Sequence, residues 1–443
     1  MNDGATPDPP TDLDRLFGND PERIGLLVSE ALADRSTELA LPSELARRGL
    51  TTEHALSIIT PYLRAAGRDL GDPGFLAHMD PPTPWITWIV SLLGASSNQN
   101  LLHPDTAPAA RDIESTVVEW LAPIFGMGGG HLVPGSTVAN LTALWAARDI
   151  TGADTVVSST NGHLSIGKAA AILGLRHLAI EPGSGRQRHG SPPGPTGAAM
   201  TAADLASAAD AGRHGAGFDL RSTIVVPTAG TTGVGAIDQL DLDELPAAPA
   251  WIHVDSAWAG PLRFSRRHRH RLAAIERADS MSLSAHKWLY QPKESAVVMF
   301  NDVATANRAI TTGGAYLRVP NIGILGSHGT AAAPLAATLL ALGLDGVERL
   351  VDHGMSLADQ LVALVEAEPR LVLFGPNESG VVAWRHRHHD SSAIQAELSD
   401  AFVSTVDIAG TTWLRSVAAN PMADPDRVVG AVLTAGERLD AGG

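Results

Sequence analysis

Lys287 stands in Ser284-Ala285-His286-Lys287-Trp288, between an imidazole and an indole, after the mainly apolar stretch Ala278 to Leu283. A lysine in such surroundings loses water, and desolvation lowers its pKa toward the neutral amine that attacks a carbonyl carbon. Asp255 lies 287 − 255 = 32 positions earlier, in His253-Val254-Asp255-Ser256-Ala257. It falls just past the C-terminal end of a buried-looking strand, the edge at which open α/β sheets bind ligands. A carboxylate there can hold a protonated pyridine nitrogen, an ion pair that lets the ring accept electrons. His163, in Asn161-Gly162-His163-Leu164-Ser165, sits between a strand and a helix and can stack on an aromatic ring. Pro134-Gly135-Ser136-Thr137 opens a helix, where free backbone N–H groups, the helix dipole and two hydroxyls suit an anion. Thr228-Ala229-Gly230-Thr231-Thr232-Gly233 marks another strand end, with glycines that let backbone approach a ligand.

Each feature taken alone has a plainer explanation. The Ser-Thr turn and Asp255 suit helix caps, His163 a turn residue, and Lys287 a strand-end lysine extended toward water. Their order is more specific: a phosphate-type turn, a loop histidine, a strand-end aspartate and a His-Lys pair. Together they suit pyridoxal 5'-phosphate (PLP) held as a Schiff base on Lys287, and therefore an enzyme acting on an amino acid.

The elements that must position these groups alternate. Ile113 to Phe125 is amphipathic, and Val138 to Ile150 and Ser165 to Gly174 read as helices. Thr155 to Ser158, His177 to Ile180, Ser222 to Val226, Trp251 to Val254 and Ala296 to Phe300 read as short strands. This alternation predicts an α/β fold with a mostly parallel sheet and helices on both faces. A Gly/Pro/Ser-rich stretch, Gly183 to Gly197, reads as a surface loop. Beyond Leu335 a long helical pattern to Leu364, strand-like Leu371 to Phe374, Val381 to Trp384 and Thr412 to Arg415, and a terminal helix from Asp424 to Leu439 predict a smaller α+β domain. Before Gly67, two or three helices follow a flexible leader and could pack on the body or wrap a partner subunit. The expected division is residues 1–95 for leader and arm, 96–330 for the large PLP-binding domain, and 331–443 for the small domain.

Composition narrows the class. With 443 residues, 44% of them hydrophobic and 18% charged, the chain is expected to bury much of its surface, partly in an oligomer interface. The balance 32 − 48 = −16 gives no net field for nucleic acid. The basic run Arg266 to Arg271 reads as a solvated start of a helix continuing through Leu272. The absence of cysteine excludes disulfides, thiolate metal sites and cysteine nucleophiles. No metal is expected. The acidic, proline-rich start lacks a secretion signal, and the apolar stretches Trp85 to Ala95 and Ala331 to Leu344 are too short to span a bilayer. A soluble cytoplasmic protein without a membrane partner is expected.

The order and wording of these motifs resemble the group II PLP-dependent amino acid decarboxylases, of the aromatic-amino-acid, glutamate and diaminobutyrate decarboxylase type. The resemblance runs from about Phe75 to Pro421, through Phe75 to Met79, Asn140 to Leu144, His163 to Ala169, Thr228 to Asp238, His253 to Gly260 and Ala278 to Trp288. It implies PLP fold-type I, the aspartate aminotransferase-like fold, and a homodimer with active sites at the subunit interface and an N-terminal arm that helps dimerise. It also implies that Lys287 forms the Schiff base, Asp255 pairs the pyridinium, His163 stacks on the ring and Ala257 packs on its other face. Ser136, Thr137, Ser284 and His286 would surround the phosphate, and Thr228 would support the His163 side. Substrate would lie near His78-Met79 and Asn98-Gln99-Asn100, the latter able to reach the partner subunit, with Arg415 matching a small-domain arginine.

Three departures from the family pattern follow. Ser284-Ala285 replaces the usual Asn-Pro, and Ser256 replaces an alanine. The third concerns a mobile loop that should carry a proton-donating tyrosine after Tyr316-Leu317. Only Arg318 to Leu325 separate that pair from Gly326-Ser327-His328-Gly329, and none of the three tyrosines, Tyr62, Tyr290 and Tyr316, occupies the loop position. His328 is the local candidate for the general acid; a turn histidine touching phosphate or the partner subunit is the alternative. The Gly-Ser-His-Gly turn also resembles, more weakly, carbon–carbon lyases of the sphingosine-phosphate lyase kind. The leading expectation is removal of the α-carboxylate of an L-amino acid to give an amine and carbon dioxide. The alternatives are a PLP-dependent carbon–carbon lyase, decarboxylation coupled to oxidative deamination, or a silent scaffold.

Overall fold

A computed structural model describes residues 20–45, 47, 50–64, 67–183, 198–211, 217–315 and 317–442. The leader up to residue 19, the Gly/Pro/Ser-rich loop beyond Gly183 and Tyr316 therefore lie outside the described residues.

The chain divides into two units, residues 1–69 and 70–443. In the first, α1 (Pro21–Ala33) starts at Asp20, whose carboxylate accepts from the Arg23 N–H, and α2 (Thr52–Leu63) starts at Thr51, which accepts from the His54 N–H. An Arg23–Glu53 ion pair and a hydrogen bond from the Leu41 N–H to the Tyr62 hydroxyl (3.0 Å) join its parts.

The second unit begins with α3 (Trp85–Ser97) and α4 (Ala110–Phe125), and then the chain alternates. β1 (Gly129–Val133), α5 (Ser136–Thr151), β2 (Thr155–Ser159), α6 (Ser165–Leu173) and β3 (Arg176–Ile180) come first. α7 (Ala202–Asp210), β4 (Thr223–Val226), β5 (Trp251–Asp255), β6 (Ser280–Leu283) and β7 (Ala296–Phe300) complete the sheet. Its order is β1-β7-β6-β5-β4-β2-β3, with β7 antiparallel to both neighbours and β6, β5, β4, β2 and β3 parallel. β4 (TIVV) and β7 (AVVMF) are buried along their whole length, as strands covered on both faces must be. One apolar cluster, including Leu121, Phe125, Trp258 and Val351, fills one side; a second, including Ala143, Leu144, Ile166 and Ala170, fills the other.

α8 (Val303–Ala309) and the pair β8 (Thr311–Thr312) and β9 (Asn321–Ile322) lead to α9 (Ala332–Ala367), a helical run broken at Gly343, where φ is 62°. β10 (Leu371–Leu373), β11 (Val381–His386), α10 (Ser391–Glu397), β12 (Ser404–Ile408), β13 (Thr411–Val417) and α11 (Pro425–Gly442) form the smaller α+β portion. Its antiparallel sheet has the order β10-β11-β13-β12 and packs around buried Trp384 and Leu414. The α/β architecture with a mostly parallel sheet and a smaller C-terminal layer is thus the expected one.

The basic run differs from expectation. Arg269–Leu272 is a single 3-10 turn, and Ala274, at φ 73°, ends it before another short turn at Ile275–Arg277. A left-handed residue cannot continue a helix. The side chains are also engaged: Arg266 pairs with Glu348, and Arg271 donates to the carbonyls of Asn377 and Glu378 (2.9 Å each).

Candidate active site

β5 ends at Asp255, whose backbone pairs in parallel with Thr228, two residues past the end of β4. Asp255 is buried and held from three directions. Asn140 Nδ2 donates to Oδ2 at 3.0 Å, while the Ser282 hydroxyl and the Ala257 N–H donate to Oδ1 at 3.2 Å. Asn140 in turn donates to Ser165 Oγ (2.8 Å) and accepts from His253 Nε2 (3.0 Å). Trp251 Nε1 donates to Ser280 Oγ, which lies 2.9 Å from His253 Nδ1. A directed chain of buried donors thus ends on the Asp255 carboxylate, and burial holds His253 below the usual imidazole range.

His163 enters the same network. The Ser165 N–H donates to its Nδ1 at 3.2 Å, which places the ring proton of the neutral form on Nε2. Burial lowers its pKa, opposed by Asp255, which favours the neutral ring.

Lys287 is carried by a turn between β6 and β7. Its neighbour Trp288 is buried, packs on Trp258 at 4.6 Å between centroids, and donates to the Ala418 carbonyl at 2.9 Å. That anchors the lysine's backbone between the large sheet and the small domain. Burial pulls the Lys287 ammonium below the usual lysine range, against the attraction of Asp255. His286 Nδ1 donates to the Ser295 carbonyl (3.0 Å), and burial with two neighbouring lysines pushes its pKa down to about 4.

These groups enclose a cavity of about 240 Å³. Lys287, Asp255, His163, Ala257 and Thr228 line it, together with Ser136, Thr137, Ser284 and His286. The residues fit PLP. α5 begins at Ser136 without a side-chain cap, and Ser136 Oγ lies 2.5 Å from Ser284 Oγ across the cavity wall. A Cβ on Gly135 (φ 88°) would meet nothing nearer than His286 Cε1 at 3.9 Å, so space remains before the helix start. Thr228 Oγ1 is buried without a hydrogen-bond partner among the described residues, a hydroxyl on the cavity wall. The replacement Ser256 is harmless here, because its hydroxyl donates to the Ser282 carbonyl at 2.6 Å.

The remaining candidates stand outside that cavity. Arg415 touches its edge, where Nε donates to the Thr232 carbonyl at 2.5 Å. Met79 is buried in the apolar core, and His78 packs on Phe402 with ring centroids 5.7 Å apart. Asn98 caps α3 in a left-handed conformation and lines an adjoining cavity of about 410 Å³ that shares Pro134 with the Lys287 cavity. His328 lines that second cavity, 3.8 Å from Glu114, which raises its pKa. Sequence reasoning assigned no role to Asn140, Ser165, Ser282 or His253. The only signal for Asn140 was its place in a family-like stretch.

A family model described as the pyridoxal-dependent decarboxylase conserved domain matches residues 42–387. The L-2,4-diaminobutyrate decarboxylase of Rhizobium meliloti is 29% identical over 81% of this chain and 76% of its own. The aromatic-L-amino-acid decarboxylase of Bacillus atrophaeus is 26% identical over 71% of this chain and 67% of its own. In fold, the chain is similar to Oryza sativa TDC crystallised with PLP and tryptamine (TM-score 0.79, 19% identity, 98% of this chain and 99% of that one). It is similarly close to mouse CSAD (TM-score 0.76, 20% identity, 94% and 99%). The chain belongs to the pyridoxal-dependent decarboxylase family and is a PLP-dependent carboxy-lyase.

Proposed function

We propose that this enzyme removes the α-carboxylate of an L-amino acid to release an amine and carbon dioxide, with PLP attached to Lys287. The observation that carries the proposal is one cavity lined by Lys287, Asp255 and His163 and opening on the uncapped start of α5. Lys287 Nζ would hold the cofactor covalently, Asp255 its pyridine nitrogen, and Ser136, Thr137, Ser284 and His286 its phosphate. His163 would cover one ring face and Ala257 the other, with Thr228 Oγ1 free to donate on the His163 side. PLP, when bound, supplies a sink for the electron pair released as the Cα–carboxylate bond breaks.

The protein's own contributions follow from the geometry. The three donors on Asp255 fix the direction of its carboxyl group, which is where a protonated pyridine nitrogen would be held. The lowered pKa of Lys287 raises its neutral fraction, so its amine can give way to the substrate amine and return. Neutral His163 can stack on the ring without adding charge beside it. Arg415, Met79, His78 and Asn98 are proposed to meet substrate. His328, made more basic by Glu114, is proposed to deliver the proton that replaces carbon dioxide on Cα, across the subunit boundary of a homodimer. The exposed apolar side chains of α3, among them Trp85, Trp88 and Leu93, support such an interface. The domain limits 96–330 and 331–443 and a cytoplasmic location belong to the same proposal. Among the described residues, no helix is long and apolar enough to cross a membrane.

One observation favours a second outcome. No tyrosine lines the Lys287 cavity among the described residues, and Tyr290 is buried in the core. Without a prompt proton at Cα, decarboxylation would end with dioxygen and water as co-reactants and with aldehyde, ammonia and hydrogen peroxide as the other products. Incubating the holoenzyme with an amino acid panel tests both readings. Amine equal to carbon dioxide supports the first, aldehyde with peroxide supports the second, and no carbon dioxide from any amino acid overturns both.

A further inference from the structure

Asp80 lies on a strap fastened beside the site. Leu76 donates to the Phe402 carbonyl at 3.0 Å, and the Phe75 and Phe402 rings stack at 5.7 Å. The Ala77 carbonyl accepts from Arg415 Nη1 and Ser404 Oγ, both at 3.3 Å. Three residues on, Asp80 accepts from Lys293 Nζ. Lys293 stands on the turn whose Ser295 carbonyl holds His286, and it lines the cavity that adjoins the Lys287 cavity at Pro134. Asp80 thus pairs with Lys293, and its charge is felt at Lys287, His286 and Arg415.

Two side-chain cations that feel Asp80, Lys293 and Arg415, are not equivalent. Arg415 is largely buried, and its hydrogen bonds go to the Thr232 and Ala77 carbonyls and the Ser404 hydroxyl. It has no carboxylate partner among the described residues, so its charge is available to a substrate carboxylate. Lys293 is different: its side chain is 59% exposed on a flexible stem. An exposed lysine pair contributes little, and Lys293 regains water on leaving. Asp80, by contrast, has a short side chain on a bolted strap and cannot withdraw.

We propose that Asp80 is a specificity-determining residue that receives the side-chain ammonium of a diamino monocarboxylic acid, while Arg415 receives a carboxylate. The assignment rests on the proposed action on amino acids. A ligand cation can displace the Lys293 ammonium from Asp80 at small cost. A ligand carboxylate in the same place meets the fixed Asp80 charge, and an aromatic ring would strip water from it without replacing a hydrogen bond.

The test uses the PLP-loaded enzyme with L-ornithine, L-lysine and L-2,4-diaminobutyrate against L-norvaline, L-glutamate and L-tryptophan. Two quantities are read: kcat/KM for carbon dioxide release, and Kd from the change in cofactor absorbance. The diamino acids should lead the other three by about tenfold or more, and Asp80→Asn should collapse that ratio. Asp80→Glu should restore it, and Lys293→Gln should preserve or raise it. Wild-type preference for glutamate, tryptophan or norvaline, or a ratio unchanged in Asp80→Asn, would overturn the assignment. Should no amino acid release carbon dioxide, decarboxylation fails, yet the absorbance titration still decides Asp80. Tighter diamino acid binding that Asp80→Asn abolishes supports it, and equal binding overturns it.

Discussion

At the scale of single residues, the site is a set of charges whose states are fixed by neighbours. Asp255 was legible because it falls at the strand edge where open α/β sheets bind ligands and precedes the His-Lys pair in order. Asn140 was not, because its role exists only once α5, α6 and β5 bring Ser165, His253 and Asp255 around one amide. Asn140→Leu should orphan buried donors and acceptors, each costing about 1–3 kcal/mol. Weaker PLP retention on dialysis and a lower melting temperature are expected; unchanged retention would deny Asn140 its part in holding Asp255. Asp238 makes a separate prediction. Its buried carboxyl accepts from the Thr228 N–H (2.8 Å) and the Met200 N–H (2.7 Å), and burial raises its pKa from 3.8 to about 7. A raised folded-state pKa means the contribution is fully present below the unfolded value and is lost as pH rises through about 7. The melting temperature of the wild type minus that of Asp238→Asn should therefore grow as pH falls from about 8 to 5. A constant difference would contradict the shift.

At the scale of elements, the strands and helices that frame the site were readable from alternation, because buried parallel strands are short β-branched runs and helices keep their period. What escaped was set by long-range packing. β1 is Gly-rich and β6 is Ser-rich, and each is a strand because it pairs with β7. The run after Arg266 had helical composition but is held in 3-10 turns by bonds to α9 and the small domain. Trp288 shows how such packing reaches the chemistry. A Cβ on Gly380, where φ is 81°, would lie 2.6 Å from the Trp288 ring. Gly380→Ala should cost about 1–3 kcal/mol through this overlap and backbone strain. The variant should melt several degrees lower and, by shifting the ring next to Lys287, lose turnover beyond what unfolding explains.

At the scale of the whole molecule, the fold class and its smaller C-terminal layer followed from the order of elements, whereas assembly depends on surfaces that sequence patterns do not mark. On α3, Trp85, Trp88, Ile89, Leu92 and Leu93 are exposed, and Leu340 and Leu344 on α9 are 72% and 66% exposed. The proposed homodimer would cover apolar side chains of this kind. Trp88→Glu should shift the protein from dimer to monomer in sedimentation velocity and lower carbon dioxide release; a wild-type monomer with full activity would remove both the dimer and the cross-subunit role of His328.

The central claim concerns one nitrogen atom. The sequence contains three lysines, Lys168, Lys287 and Lys293, so the attachment point can be read without ambiguity. Reducing the PLP-loaded enzyme with borohydride, digesting it and weighing the peptides should find the pyridoxyl phosphate group on the Lys287 peptide alone. Lys287→Ala should lose the label and at least about a thousandfold of carbon dioxide release. Label on Lys168 or Lys293, or no label with turnover intact, would contradict the account.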